Sequence, residues 1–359
     1  MRKLAAVLAL SVFSIVLSPV RVQPCTTFCF KYQGEWIFGR NYDFEIEHGL
    51  VIVNKRGIAK TALLTQGTVG QPAKWVSKYG SVTFNQFGRE LPLGGMNEAG
   101  LVIELMWLTQ TEYPNPDQRP AIRELQWIQY QLDTAATVQD VIASDKAIRI
   151  EAKISTPIHF LASDRKGGAA AIEFLGGRMR AYTGKDLPVK ALTNSTYEYC
   201  LDFLKGPGSD ESKPSFSQAD NSLKRFVQAA HGNQTWDADT SGDPVAYAFR
   251  ILDKANLPNS KFRIVYDVKS GVIYFRTKSR PDIRSISLRR FDFSCGTPVK
   301  TLDILADFNG DVTGRFQDYT WEANYDLIKK SFSGTSFLRG TPETAMMALA
   351  KYPESLPCK

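Results

Sequence analysis

The chain has 359 residues, 43% of them apolar and 11% aromatic, a composition that excludes a disordered or low-complexity protein. Its formal charge of +7 is spread without a basic run or a Lys/Arg-rich helix face, so a nucleic-acid partner has no support. None of the spacings among its five cysteines is a zinc pattern, and no metal or cofactor is expected.

Residues 1–24 read as an export signal, with Arg2 and Lys3 as the positive start and Leu4 to Leu17 as the apolar run. That run of about 14 residues is shorter than the roughly 20 needed for a permanent membrane helix, and no other segment approaches that length. A periplasmic or secreted protein without a stable membrane span is expected. Removing residues 1–24 takes away Arg2, Lys3 and Arg21 and no acid, so +7 becomes +4. Val22, Gln23 and Pro24 stand where a small-x-small cleavage pattern belongs. Processing is therefore expected either to tolerate Pro24 or to leave a short pro-segment that Cys25 itself removes.

From residue 25 the chain gives short β-rich runs, TTFCFKY, EWIFGRN, GLVIVNK, KYGSVTFNQF and GLVIELMWL. Turn signals at Gln33-Gly34 and at Asn97 to Gly100 separate them, and the opening reads as one antiparallel meander. At Pro120 the period changes: Ile122, Leu125, Ile128 and Leu132 recur at helical spacing, and TVQDVIAS follows as a second helix with Thr137 as its cap. Strands return in IRIEAKIS, PIHFLASD, AAAIEFL and RMRAYT. Residues 206–222 read as a surface loop within a helical block made of YEYCLDFL, SLKRFVQAAH and DPVAYAFRILDKA. FRIVYD, GVIYFRT and SISLRRFDF close the pattern as strands. Strands in runs separated by helices in runs argue for an α+β fold, helices layered on antiparallel sheets, and against a βαβ parallel sheet.

Cys25, Cys29, Cys200, Cys295 and Cys358 form an odd set, which in an oxidising compartment implies one free thiol and leaves four to pair in any of three ways. If the signal is cut just before Cys25, that residue carries both a thiol and a free α-amino group. With values of roughly 8.5 and roughly 7.7–8.0, the amine can accept the thiol's proton near neutrality. In GRNYDF, Arg40 is a guanidinium that favours thiolate and Asp43 a carboxylate that holds the amine; their strand pairs back towards Cys25 after Gly34.

CTTF, GRNYDF, SKYGSV, GGMNEAGL, MWLTQTEYP, LTNS and KRFV, in this order from residue 25 to about 230, resemble the choloylglycine hydrolase family of linear amide C-N hydrolases. That family holds bile salt hydrolases and penicillin V acylases and belongs to the N-terminal nucleophile hydrolases. The resemblance implies a four-layer αββα sandwich with two antiparallel sheets, and one catalytic domain over residues 25–359. It implies that Cys25 is the nucleophile, that Arg40 and Asp43 are its neighbours, that Asn194 serves the oxyanion and that Arg225 is a second active-site arginine. Bile salt hydrolases commonly carry another oxyanion asparagine where this chain has Trp107. The tryptophan resembles penicillin V acylase-like members from Gram-negative bacteria, with a backbone N–H as donor and the indole lining the acyl pocket. Penicillin V, acyl-homoserine lactones and conjugated bile salts are the implied substrates, in that order. The partner is a small-molecule amide; a homo-oligomer is compatible with the sequence.

Two competitors stand beside this reading. A binding module stapled by disulfides or lipid-anchored at Cys25 is one, although Pro24 does not suit a lipid site and Cys29 lies roughly 13 Å along a strand, beyond disulfide reach. A thiol hydrolase dependent on His159 or His231 is the other. Asn194-Ser-Thr and Asn233-Gln-Thr also match glycosylation acceptors.

Overall fold

Alternating apolar residues from 26 to 43 form β1 (Thr26–Tyr32) and β2 (Glu35–Asp43). The turn between them is Gln33-Gly34, both at positive φ (50° and 85°), as a two-residue hairpin of right-handed twist requires. The computed structural model describes residues 24–64, 68–153, 155–236 and 242–359. The expected export run and the residues before Pro24 lie outside these.

The chain continues through β3 (Leu50–Asn54), a small ribbon of β4 (Ala59–Thr61) and β5 (Lys74–Val76), then β6 (Ser81–Asn85), β7 (Pro92–Asn97) and β8 (Val102–Trp107). β9 (Ala121–Ile122) leads into α1 (Glu124–Thr134) and α2 (Val138–Ala143), followed by β10 (Arg149–Ile150), β11 (Ile158–Ser163), β12 (Ala169–Leu175), β13 (Arg178–Thr183) and β14 (Ala191–Leu192). Then come α3 (Tyr197–Lys205), α4 (Pro214–Gln218), α5 (Asn221–Thr235) and α6 (Pro244–Lys254), and β15 (Ser260–Asp267), β16 (Val272–Thr277) and β17 (Arg284–Ser287). β18 (Lys300–Asp303), β19 (Gly310–Asp311), β20 (Gln317–Asp318), α7 (Trp321–Gly334) and α8 (Glu343–Lys351) end it.

Two large sheets result, one ordered β14-β1-β2-β15-β16-β17-β19 and the other β13-β12-β11-β8-β7-β6-β3-β18-β20. All their pairings are antiparallel except β17 with β19. α5 and α6 pack on β1 and β2 of the first sheet, and α1 on β7 and β8 of the second. β1 touches β8 and β11 across the interior, giving helix, sheet, sheet and helix layers. β3, β6, β7 and β11 are buried along their whole length because each is covered on both faces.

Several expectations change. The opening runs are not one meander: β1 and β2 belong to the first sheet, and β3 and β6 to β8 to the second. β7, which none of the expected runs covered, is a central strand. The helix expected from Pro120 starts at Glu124, because Ala121–Ile122 pair in parallel with Arg149–Ile150. The same pairing confines the strand expected in IRIEAKIS to two residues. Thr137 does cap α2, through a reciprocal bond with Asp140. The 206–222 loop contains α4, and Leu288–Arg290 of the last expected strand is a 3-10 turn.

Of the cysteines, only Cys295 and Cys358 are bonded; Cys25, Cys29 and Cys200 are free and buried. A second disulfide is absent among the described residues, Cys29 being enclosed in β1 and Cys200 in α3. Among the described residues no helix is long and apolar enough to cross a membrane. The bridge closes a sequence separation of 63 residues. In the chain-entropy treatment such a loop stabilises by about 4 kcal/mol. Replacing both Cys295 and Cys358 with serine should lower unfolding free energy by about 2–4 kcal/mol in urea titrations; an unchanged midpoint would count against the bridge as a brace.

Candidate active site

β1 and β2 pair with Thr27 opposite Arg40 and Thr26 opposite Asn41, so the residue before β1 lies beside the last turn of β2. Cys25 is thereby 2% exposed at the inner end of a cleft of about 1010 Å³, counted with its open mouth. Tyr42 and Asp43 of β2, Leu93, Leu105 and Trp107 of the second sheet, and residues of α1, α7 and α8 line it. Its walls are mainly apolar, with Asp43 beside Cys25 and Arg123, Glu124 and Thr156 as further polar lining.

Pleating turns Arg40 across the interior to the second sheet. There its guanidinium meets the Glu104 carboxylate and donates to the carbonyls of Leu93 (3.3 Å) and Leu105 (3.2 Å). It also stacks on Tyr42, 4.7 Å from the ring centre, and Tyr266 donates its hydroxyl to the other Glu104 oxygen. Burial pushes Glu104 up to about 7 against the opposing pull of Arg40 and Tyr266. Arg40 moves up as well: burial pulls it down, but Glu104, Cys25, Tyr42 and Tyr266 together outweigh burial, and the guanidinium keeps its proton.

Asn194 lies in the loop between β14 and α3. Its Oδ1 accepts from the Cys25 nitrogen (2.7 Å) and from Arg225 Nη2 (2.8 Å), while its Nδ2 donates to the Trp107 carbonyl (2.8 Å). Two donors on one side and an acceptor on the other fix the orientation of the amide. Arg225, on the buried face of α5, donates through Nη1 to the Cys25 carbonyl and to Thr26 Oγ1 (2.7 Å) and is braced by Asn221 at Nε (2.7 Å). Ser222, one helix turn earlier, accepts the backbone N–H of Asn194 at 2.9 Å. The loop is thus held from both ends.

Asp43 accepts from Ser260, which a register shift in β15 brings opposite it. Its Oδ2 is buried with no hydrogen-bond partner. Burial raises Asp43 to about 6, with Arg225, Ser260 and Arg40 pulling the other way. Burial likewise raises the Cys25 thiol; Arg40, the Asp43 backbone N–H and Arg225 oppose this, and the Asp43 charge reinforces it.

Cys25, Arg40, Asp43, Asn194, Arg225 and Trp107 are therefore all brought to one place. The histidines are elsewhere: His159 faces Glu173 (3.1 Å) and the Thr193 carbonyl (2.8 Å), and His231 faces Glu211 on α5's outer side (3.1 Å). Leu108 N–H, next to Trp107, is committed to the Pro157 carbonyl at 3.0 Å. Glu104, Ser222 and Ser260 escaped the sequence reading. For Glu104 a signal existed, a lone carboxylate inside the apolar run VIELMW, which demands a buried partner. Among the described residues no group of three or more His, Cys, Asp or Glu is placed to hold a metal.

The layered sheets define an α+β sandwich whose fold is shared with solved structures of amide hydrolases. A penicillin V acylase structure from Agrobacterium tumefaciens superposes with a TM-score of 0.68 at 24% identity, over 82% of this chain and 98% of that one. A mutant conjugated bile acid hydrolase from Clostridium perfringens gives 0.64 at 17%, over 80% and 98%. The family model for linear amide C-N hydrolases, choloylglycine hydrolase family, matches residues 25–301, and the chain belongs to that family. A penicillin V acylase of Pectobacterium atrosepticum is 27% identical over 303 residues, 71% of this chain and 80% of its relative. The protein is accordingly a hydrolase of linear amides.

Removing one partner of a buried ion pair leaves the other uncompensated, at about 3–5 kcal/mol. Glu104→Ala should lose stability of that order in urea unfolding, and the double replacement Arg40→Met with Glu104→Met should lose less than Glu104→Ala alone. Equal losses would show that the Arg40 charge is satisfied without Glu104.

Proposed function

We propose that the chain is an exported cysteine hydrolase whose N-terminal residue, after cleavage between Pro24 and Cys25, is the nucleophile, with residues 25–359 as one catalytic unit. The carrying observation is the Cys25 nitrogen on Asn194 Oδ1 at 2.7 Å while the same residue lines the apolar cleft. A nitrogen oriented in this way becomes, once freed, an amine beside its own thiol. The buried and unpartnered Asp43 Oδ2 suits an ammonium, and supports the same reading.

In this mechanism the α-amine takes the thiol proton as Sγ attacks the substrate carbonyl carbon. The oxyanion is stabilised by Asn194 Nδ2, held in place by the Trp107 carbonyl, and by backbone N–H groups. The C–N bond breaks as the amine's proton passes to the leaving nitrogen, and a thioester forms. Water, losing a proton to the amine, then cleaves the thioester and returns the thiol. Arg225 holds the Cys25 carbonyl and Asn194 together, and Arg40 moderates the burial penalty on the thiolate. The apolar cleft with Trp107 in its wall favours an apolar acyl group, with penicillin V ahead of acyl-homoserine lactones and conjugated bile salts.

Correctly processed protein should hydrolyse members of a linear-amide panel, show a free Cys25 N-terminus by mass spectrometry, and lose turnover in Cys25→Ala. A diacylglyceryl adduct, or Pro24 retained in fully active protein, would falsify the mechanism. Asn194→Ala should fold and lose roughly 100- to 1000-fold in kcat.

Protonation of Asp43 removes the charge that holds the ammonium, so kcat/KM should fall as pH drops through about 6. In Asp43→Asn that acid limb should disappear from an already low rate. Retention of the same limb would assign it to another group.

A further inference from the structure

One wall of the cleft comes from residues beyond the family match, which ends at 301. Phe332 lies on α7, Phe337 and Leu338 form part of the 3-10 turn Ser336–Leu338, and Leu349 lies on α8. Phe337 is 44% exposed although it lines the cleft, and its ring centre stands 6.1 Å from that of Trp107. A large apolar side chain left wet in a cleft wall gains most when a ligand covers it.

The turn has its own anchor. Glu45, two residues after Asp43, accepts the Ser336 N–H (2.9 Å) with one carboxylate oxygen and the Ser336 hydroxyl (2.8 Å) with the other. Ile46 packs so closely on Gly334 that a Cβ there would overlap it. The segment leaving β2 therefore contributes Asp43 to the polar end of the cleft and then fixes the apolar wall.

We propose that the Ser336–Leu338 turn is the specificity-determining wall of the acyl site. Phe337 reads the end of the acyl group remote from the amide, and Glu45 acts as a positioning residue that holds Phe337 at the cleft. This rests on the reading of the cleft as an acyl site given above. An acyl group too short to span the cleft leaves Phe337 in water, whereas a bulky apolar one covers it.

With amides of one amine and acyl groups of rising size, Phe337→Ala should lower kcat/KM for the largest relative to the smallest by roughly tenfold, through KM rather than kcat. Glu45→Ala should lower the same ratio and add little to it in the Phe337→Ala background. Phe308→Ala, an exposed aromatic outside the cleft, should leave the ratio as in the unaltered protein. Binding of the same series to Cys25→Ala, followed by tryptophan fluorescence, should lose its size dependence when Phe337→Ala is added. An unchanged ratio or binding series with Phe337→Ala, or fully additive losses from Glu45→Ala and Phe337→Ala, overturns the wall. If the protein turns over no amide, the nucleophile reading of Cys25 fails, and the binding series still decides the wall.

Discussion

The contact between Arg40 and Glu104 sets how the two sheets face each other. One charge stands on β2 of the first sheet, the other on β8 of the second, and both side chains are 1% exposed or less. Ions so far from water cost several kcal/mol each unless geometry and further hydrogen bonds compensate. The compensation is visible in the Leu93 and Leu105 carbonyls and the Tyr266 hydroxyl. It also explains a glycine, since a Cβ at Gly94 would overlap the Glu104 carboxylate. The GGMNEAGL stretch is thus shaped by the need to seat a charge. The sheets cannot slide past one another without breaking this pair, and Cys25 is held at the level of β2 that the pair defines.

That arrangement also bears on the proposed chemistry. Arg40 lies close enough to Cys25 to favour its thiolate, but Glu104 offsets much of that charge, and burial raises the thiol nonetheless. A preformed thiolate is therefore disfavoured. A thiol that loses its proton only during attack, to a base already at hand, suits such a site better. An α-amine on the same residue is a base of that kind, and no histidine lies there to compete.

The polar half of the site was legible because it is local or carried by motifs. Cys25, Arg40 and Asp43 lie on one hairpin whose turn, Gln33-Gly34, is readable, so their proximity followed from register alone. Asn194 and Arg225 came through the family resemblance; nothing in their local sequence says that their side chains meet. Illegible parts share a cause, which is that the deciding partner is distant in sequence. Whether β2 continues into β3 of the same sheet or crosses to the other depends on β15 pairing more than 200 residues later. β7 carries Gly94, whose reason is the room for the Glu104 carboxylate on the neighbouring β8, and that carboxylate is there to meet Arg40 across the interior. Phe337 has no motif, and its meaning comes from Trp107, which no periodicity links to it.

The cleft consequently has two ends of different origin. The polar end is made by residues 25–225, within the matched family region, and two of its side chains are each fixed by several partners, Asn194 by Cys25, Arg225 and Trp107, and Arg225 by Asn221, Cys25, Thr26 and Asn194. The apolar end draws on α7, α8 and the turn between them, and Glu45 after β2 holds that turn. A densely bonded, buried end tolerates little change, because every substitution strands a polar partner in the interior. A wall of apolar side chains, its turn tied to the segment after β2 by Glu45 and Ile46, can change in shape at small cost to the rest. The same scaffold can thus keep its amide chemistry constant while the acyl group it accepts varies with the C-terminal turn.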